Sequence, residues 1–201
     1  PDSVVNLYPE HQHLSFVPLK DENIKIGFSP VDFIQVNTEI NQQMVSQALH
    51  HLDLKPTDRV LDLFCGLGNF TLPMARRCAQ VVGIEGDEPM VGRAKQSAID
   101  NGIGNTEYFA TDLTKPELDA SWMREKFNKI LIDPPRSGAM EIAEIINRFK
   151  AQKIVYISCQ PSSLVRDSKI ICSHGYKLEH LGIMDMFPQT AHVESMAVFT
   201  K

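Results

Sequence analysis

The sequence predicts an α/β fold, a seven-stranded and mostly parallel sheet with helices between its strands and an antiparallel pair at one end. Three observations carry this. From Val60 onward, short apolar runs alternate with stretches of helical periodicity. The links between them are short, as right-handed βαβ units require. The last two apolar runs have no helix between them, so they must pair antiparallel.

Residues 1 to 28 alternate weakly, around Val4-Val5, Leu14-Phe16-Val17 and Ile24-Ile26-Phe28. They read as two or three short strands without a domain-sized core. From Thr38 to Leu52 the pattern turns helical, with Ile40, Met44, Val45, Ala48 and Leu52 on one stripe behind Asn37 or Thr38 as the cap. Strands follow at Val60–Phe64, Val81–Glu85, Thr106–Ala110, Lys129–Ile132 and Lys153–Ile157. Helices are expected at Asn69–Cys78, Glu88–Asp100, Leu118–Lys126 and Ala139–Phe149. A last helix, Ser162–Ser173, should bury Leu164, Val165, Ser168, Ile171 and Cys172 and stop at Gly175. Lys177–Met186 and Val193–Thr200 close the chain as strands.

Composition narrows the class. The 201 residues, 43% apolar, suffice for one well-packed domain with room for a small appendage. No stretch reaches the roughly 18 apolar residues of a membrane helix, and the amino terminus has no signal-peptide core. The chain does not begin with Met and reads as a fragment or a processed chain. The four cysteines sit singly, so no zinc or iron–sulfur site is expected. A net charge of −5 argues against this chain alone gripping a long nucleic-acid duplex.

The strand ends carry the chemistry, because ligands of open α/β sheets bind outside the carboxyl ends of the strands. Asp62-Leu-Phe-Cys-Gly66-Leu-Gly68-Asn-Phe70 is a glycine-bearing turn between strand and helix, where a ligand can approach the backbone. Glu85 follows about 20 residues later, where an acid accepts from ribose hydroxyls. Asp112 stands past the third strand, to reach an adenine ring or to cap the following segment. Asp133-Pro-Pro-Arg-Ser-Gly138 makes a rigid turn whose prolines have no N–H. The third glycine of a dinucleotide fingerprint is missing. That fits a Rossmann-like S-adenosylmethionine-dependent methyltransferase fold, whose cofactor has no pyrophosphate to seat. Ser158-Cys159-Gln160-Pro161 puts a thiol at a strand end, either a nucleophile or a buried thiol, and Glu194 is the acid in the next unusual stretch.

These pieces, with Ser29-Pro-Val-Asp-Phe-Ile-Gln35-Val-Asn37 and Asp185-Met-Phe-Pro-Gln-Thr-Ala-His-Val-Glu194, resemble the RNA uracil-C5 methyltransferase family from about Phe28 to Lys201. Among its members the chain is most similar to those that act on 23S rRNA. The resemblance implies S-adenosyl-L-methionine as cofactor and an RNA, 23S rRNA, as partner. A cytoplasmic monomer without membrane association is expected. It also implies that Cys159 adds to C6 of a uracil and that Glu194 removes the C5 proton after methylation. Gln35 and Asp133 would line the site, Phe64 and Asn69 would border the cofactor, and Glu85 would hold its ribose. Arg136 would meet the RNA or form a surface ion pair, while His192 has no visible partner. Residues 1–30 would be the remnant of a central β-rich domain and 31–201 the catalytic domain. The RNA-binding barrel and cysteine-rich iron–sulfur segment of the rRNA enzymes are not in this sequence. Gln160 replaces the family's Asn. The alternatives are a tRNA uridine-C5, an RNA cytosine-C5 or an exocyclic-amine methyltransferase, or an isolated cofactor-binding module inactive without its RNA-binding domain.

Overall fold

A computed structural model describes residue 4 and residues 13–201. Apart from Val4, the segment around Val4-Val5 lies outside the described residues. Strands β1 (Leu14–Phe16) and β2 (Ile26–Phe28) pair antiparallel in a sheet of their own. They are not a separate core: Ile24 and Ile26 are fully buried in the main hydrophobic cluster. The pair is tied to a later helix where Gly27 N–H donates to Ser97 Oγ at 3.2 Å and Asn101 exchanges two bonds with the Lys25 backbone.

The main body runs α1 (Thr38–Leu52), β3 (Arg59–Leu63), α2 (Thr71–Ala75), β4 (Gln80–Glu85), α3 (Glu88–Asp100), β5 (Thr106–Ala110), β6 (Lys129–Ile132), α4 (Met140–Ile145), β7 (Lys153–Ser158), α5 (Pro161–Ser173), β8 (Lys177–Met184) and β9 (Glu194–Thr200). The seven later strands form one sheet in the order β5-β4-β3-β6-β7-β9-β8. All neighbours are parallel except β9, which runs against both β7 and β8.

Strand residues alternate between two cores, as a period of two demands. Val60, Leu131, Val155 and Val198 face a core with α1, α2 and α3. Leu61, Ile130, Tyr156 and Phe199 face the other, with Trp122, α4 and α5. The chain steps outward from β3 through β4 to β5 with helices on one face. It then returns to β6 and β7 with helices on the other. This reversal makes a switch point between β3 and β6, where α/β ligand sites form.

Three elements differ from expectation. The helix expected at 69–78 spans only 71–75. Phe64, Gly66 and Gly68 hold positive φ, which keeps the chain in turns through Phe70, and Arg77 N–H bonds back three residues to Met74, ending the helix. Residues 118–126 give only a 3-10 turn, Ser121–Arg124, uncapped and held by burial of Trp122 and Met123. The helix expected at 139–149 is α4 followed by a 3-10 turn, Ile146–Phe149, which stops at Lys150 with φ 58°. In α5, Val165 and Cys172 are exposed rather than buried. The inward stripe is Leu164, Asp167 and Ile171, and its middle member is an acid that an apolar pattern cannot reveal.

Candidate active site

At the end of β3 the chain leaves the sheet through Phe64 at φ 63°, a left-handed conformation costly for a bulky residue. The turn is pinned on both sides. Cys65 N–H donates to Ile84 C=O at 3.0 Å, and Asp133 N–H to Leu63 C=O at 3.2 Å. Gly66 and Gly68 follow at φ 54° and 94°, where no side chain is easily borne. The Glu85 carboxylate lies against this turn and accepts from the N–H groups of Gly66, Gly86 and Asp87 at 3.0, 2.7 and 3.0 Å. Asn69 exchanges both amide bonds with buried Asn41 of α1, at 3.0 and 2.9 Å. Gln35 is half-buried on the approach to α1, and its Oε1 is buried without a partner among the described residues. Asp112 is exposed, and its Oδ1 accepts from the N–H and hydroxyl of Thr114. Its turn-capping role is therefore formed through one oxygen of an exposed carboxylate.

The reversal of β9 assembles the rest. Ser158, the last residue of β7, pairs with Ser195 of β9. The next positions outward are Cys159 and Glu194, so the thiol and the carboxyl leave adjacent strands at the same end of the sheet. Glu194 is 3% exposed. Burial, then the charge of Asp133, pushes its carboxyl up to about 8. Burial likewise pushes Asp133 up to about 7. The half-buried Cys159 thiol is raised by burial first, then by Glu194 and Asp133. The site thus holds three acidic groups that resist ionising together.

Helix α5 opens with Pro161 at its first turn, and its amino-terminal dipole favours negative charge nearby. Gln160 caps it in an extended conformation without a side-chain cap bond. The turn closes through Gln160 N–H to Ser158 Oγ at 3.1 Å and Leu164 N–H to Gln160 C=O at 3.2 Å. Among the described residues the Gln160 side-chain amide donates to Ser162 Oγ alone, at 2.8 Å. At the rim, exposed Arg136 and His192 meet at 3.4 Å, and the His192 ring meets Phe187 edge-on. Cys65 and Cys78 are buried. No cluster of three metal-ligating side chains exists among the described residues.

Sequence reasoning missed Asp62 and Asp167. Asp62 is fully buried, accepts from Thr71 Oγ1, keeps Oδ1 unpartnered among the described residues, and is pushed up to about 8, chiefly by burial. A lone acid inside the apolar run Val60–Leu63 is the signal that could have found it, since such a position is costly.

Residues 11–201 match the family model described as tRNA (uracil-5-)-methyltransferase. The chain is 52% identical over its whole length to the 23S rRNA (uracil(1939)-C(5))-methyltransferase RlmD of Methylococcus capsulatus, and 51% to RlmD of Xanthomonas axonopodis. It covers 45% of each, so it spans about half the length of these relatives. Among solved structures, the tRNA (uracil-54, C5)-methyltransferase of Pyrococcus abyssi, in complex with S-adenosyl-L-homocysteine, matches with a TM-score of 0.79 at 25% identity. That match covers 94% of this chain and 45% of the other. Magnesium protoporphyrin IX methyltransferase of Synechocystis, with bound SAM, shares the fold at a TM-score of 0.65 and 19% identity, over 87% of each chain. With the thiol, the carboxyls and the glycine turn gathered at one sheet end, and the family model running from residue 11 to the last, the chain belongs to the tRNA (uracil-5-)-methyltransferase family.

Proposed function

We propose that this chain is the catalytic unit of an enzyme that methylates C5 of a uridine in 23S rRNA. The observation that carries the reading is the pairing of β7 with reversed β9, which sets Cys159 beside Glu194 at the switch-point end of the sheet. The identity of 52% to RlmD supports 23S rRNA over tRNA as the RNA. A monomer acting in the cytoplasm fits this role, and no helix among the described residues is long and apolar enough to cross a membrane.

The residues fit S-adenosylmethionine. Gly66 and Gly68 leave a backbone cradle, with Glu85 held against it. Gln35 offers a buried, unpartnered carbonyl oxygen. Phe64 and Asn69 border the turn, and Asp112 retains a carboxylate oxygen for an adenine amine. When bound, S-adenosylmethionine supplies the methyl group and an electrophilic carbon for C5 to attack. Cys159, as thiolate, adds to C6 of the uracil and makes C5 carbon-nucleophilic. Asp133 and Gln35 orient the base edge. After C5 has been methylated, Glu194 removes its proton, the C5–C6 double bond reforms, and the Cys159 sulfur leaves. General-base help of this kind is worth roughly 10²–10⁴-fold. The target base must leave its stack to enter, and Arg136 with His192 at the rim meets the RNA. The net charge of −5 supports a division of labour in which the rest of a longer protein supplies most of the phosphate contacts.

Replacing Cys159 by Ala should abolish methyl transfer to RNA, while S-adenosylhomocysteine binding by calorimetry stays unchanged. Normal turnover in this variant would refute the covalent reading and favour exocyclic-amine chemistry. Incubating the wild-type protein with 5-fluorouridine RNA and cofactor should give a stalled adduct at Cys159, because fluorine cannot leave as a proton.

A further inference from the structure

One buried acid joins the Asp133 turn, β7 and α5, yet has no step in the proposed chemistry. Asp167, on the second turn of α5, is 0% exposed. Its Oδ2 accepts from the Tyr156 hydroxyl at 2.6 Å and from Ala139 N–H at 2.7 Å. Its Oδ1 accepts from Arg166 Nε at 2.8 Å, and Arg166 Nη2 donates onward to the Ser137 carbonyl at 2.8 Å. Gly138 lies against this cluster at φ 80°, where an added Cβ would come 2.5 Å from Asp167 Oδ2 and 2.6 Å from Arg166 Nη2. The turn that begins at Asp133 therefore wraps directly onto the acid, and Gly138 N–H closes it on Pro135 C=O at 2.8 Å.

The bonds reach three parts of the site. Ala139 and Ser137 belong to the Asp133 turn. Tyr156 is on β7, three residues before Cys159. Arg166 and Asp167 are on α5, the helix that starts two residues after Cys159. Packing alone does not call for a carboxylate here, since apolar groups of similar volume serve a core as well or better. A carboxylate accepting three bonds fixes its three neighbours in direction as well as distance.

We propose that Asp167 is a positioning residue for methyl transfer, clamping the Asp133 turn to β7 and α5 so that the Cys159 thiol and Asp133 hold a fixed relation. The inference rests on the uridine-C5 reading above. Covalent addition needs the thiol and the base-orienting acid aligned on one ring, and a displacement of about 1 Å can cost on the order of 10²-fold in rate.

The test is made in the full-length protein, with Asp167→Asn, Tyr156→Phe and Cys159→Ala side by side. Asp167→Asn should lower kcat for RNA methylation by about 10²-fold, with KM for RNA and the S-adenosylhomocysteine dissociation constant within about twofold of wild type. Tyr156→Phe removes one hydroxyl from the clamp and should lower kcat by about tenfold on the same grounds. In both variants the pH midpoint of Cys159 alkylation, followed by peptide mass, should move, because the thiol's relation to its neighbouring carboxyls has changed. If Asp167→Asn does not fold, Tyr156→Phe decides. Wild-type kcat and an unmoved alkylation profile in Tyr156→Phe would overturn the clamp. So would a parallel fall in kcat and cofactor affinity, which marks general destabilisation. If the clamp variants behave as wild type while Cys159→Ala is inactive, only this inference fails. If Cys159→Ala turns over normally, the uridine-C5 reading fails and takes the clamp with it.

Discussion

Cys159 does not rest as a ready thiolate. Burial holds its proton on, and Glu194 and Asp133 add to that hold. The nucleophile is thus masked until the charge around it changes, which limits wasteful alkylation of an accessible thiol. Glu194 carries both effects: it is the proposed base, and it is the largest charge acting on the thiol. Replacing it with Gln should separate them. The pH midpoint for alkylation of Cys159 should fall in a Cys172→Ser background, which removes the exposed thiol of α5. At the same time a protein–RNA adduct that survives denaturation should accumulate, because methylated C5 keeps its proton. An unshifted midpoint together with full turnover would remove Glu194 from both roles. The legible residues of the site share one property. Cys159, Asp133 and Glu85 stand at strand ends within two residues of proline or glycine, where the sequence itself marks a turn. Asp62 and Asp167 lie inside elements, and their importance depends on burial and on partners distant in sequence, Tyr156 and Ala139 among them.

The strands were readable as short apolar runs, because strands flanked on both faces by helices need no polar alternation. The short α2 was not, because left-handed φ at Phe64 is a tertiary choice that no propensity announces. Nor was the placement of β9 between β7 and β8, although the antiparallel β8–β9 pair was expected. That placement turns a strand's amino end toward the carboxyl ends of its parallel neighbours, and so puts Glu194 with Cys159. The return from α4 to β7 depends on a strained residue, Lys150 at φ 58° after the 3-10 turn. It is exposed, and a left-handed lysine costs roughly 1–2 kcal/mol relative to glycine in the same place. Lys150→Gly should relieve this, offset in part by the greater freedom of the unfolded chain. The expected net gain is about 0.5–1 kcal/mol, a rise of roughly 1–4 °C in Tm. A lower Tm would mean that the lysine side chain packs more usefully than its exposure indicates.

Across the whole molecule, buried acids oppose stability, two of them groups of the proposed chemistry, and pH exposes the conflict. Asp62, Asp133 and Glu194 are pushed up to about 8, 7 and 8, each chiefly by burial. In the unfolded chain such carboxyls ionise near pH 4. Between those values the folded state holds more protons than the unfolded state, so stability must fall as pH rises and level off once the folded values are passed. His51 works in the other direction. Burial and then His180 lower it, so its contribution is complete above the unfolded value and is lost as pH falls from there through the folded one. Three raised carboxyls outweigh one lowered histidine, so stability is greater on the acid side of neutrality. Catalysis needs the reverse, because an ionised Cys159 and Glu194 are favoured only at higher pH. Tm should therefore drop by several degrees between about pH 6.5 and about pH 8.5, while kcat/KM for RNA rises over the same interval. Glu194→Gln should raise Tm, more at the upper pH than at the lower, since an amide in that place cannot ionise. A Tm that is flat or rising across the interval would show that the carboxyls keep ordinary values in the fold, and the conflict between stability and catalysis would fail with it.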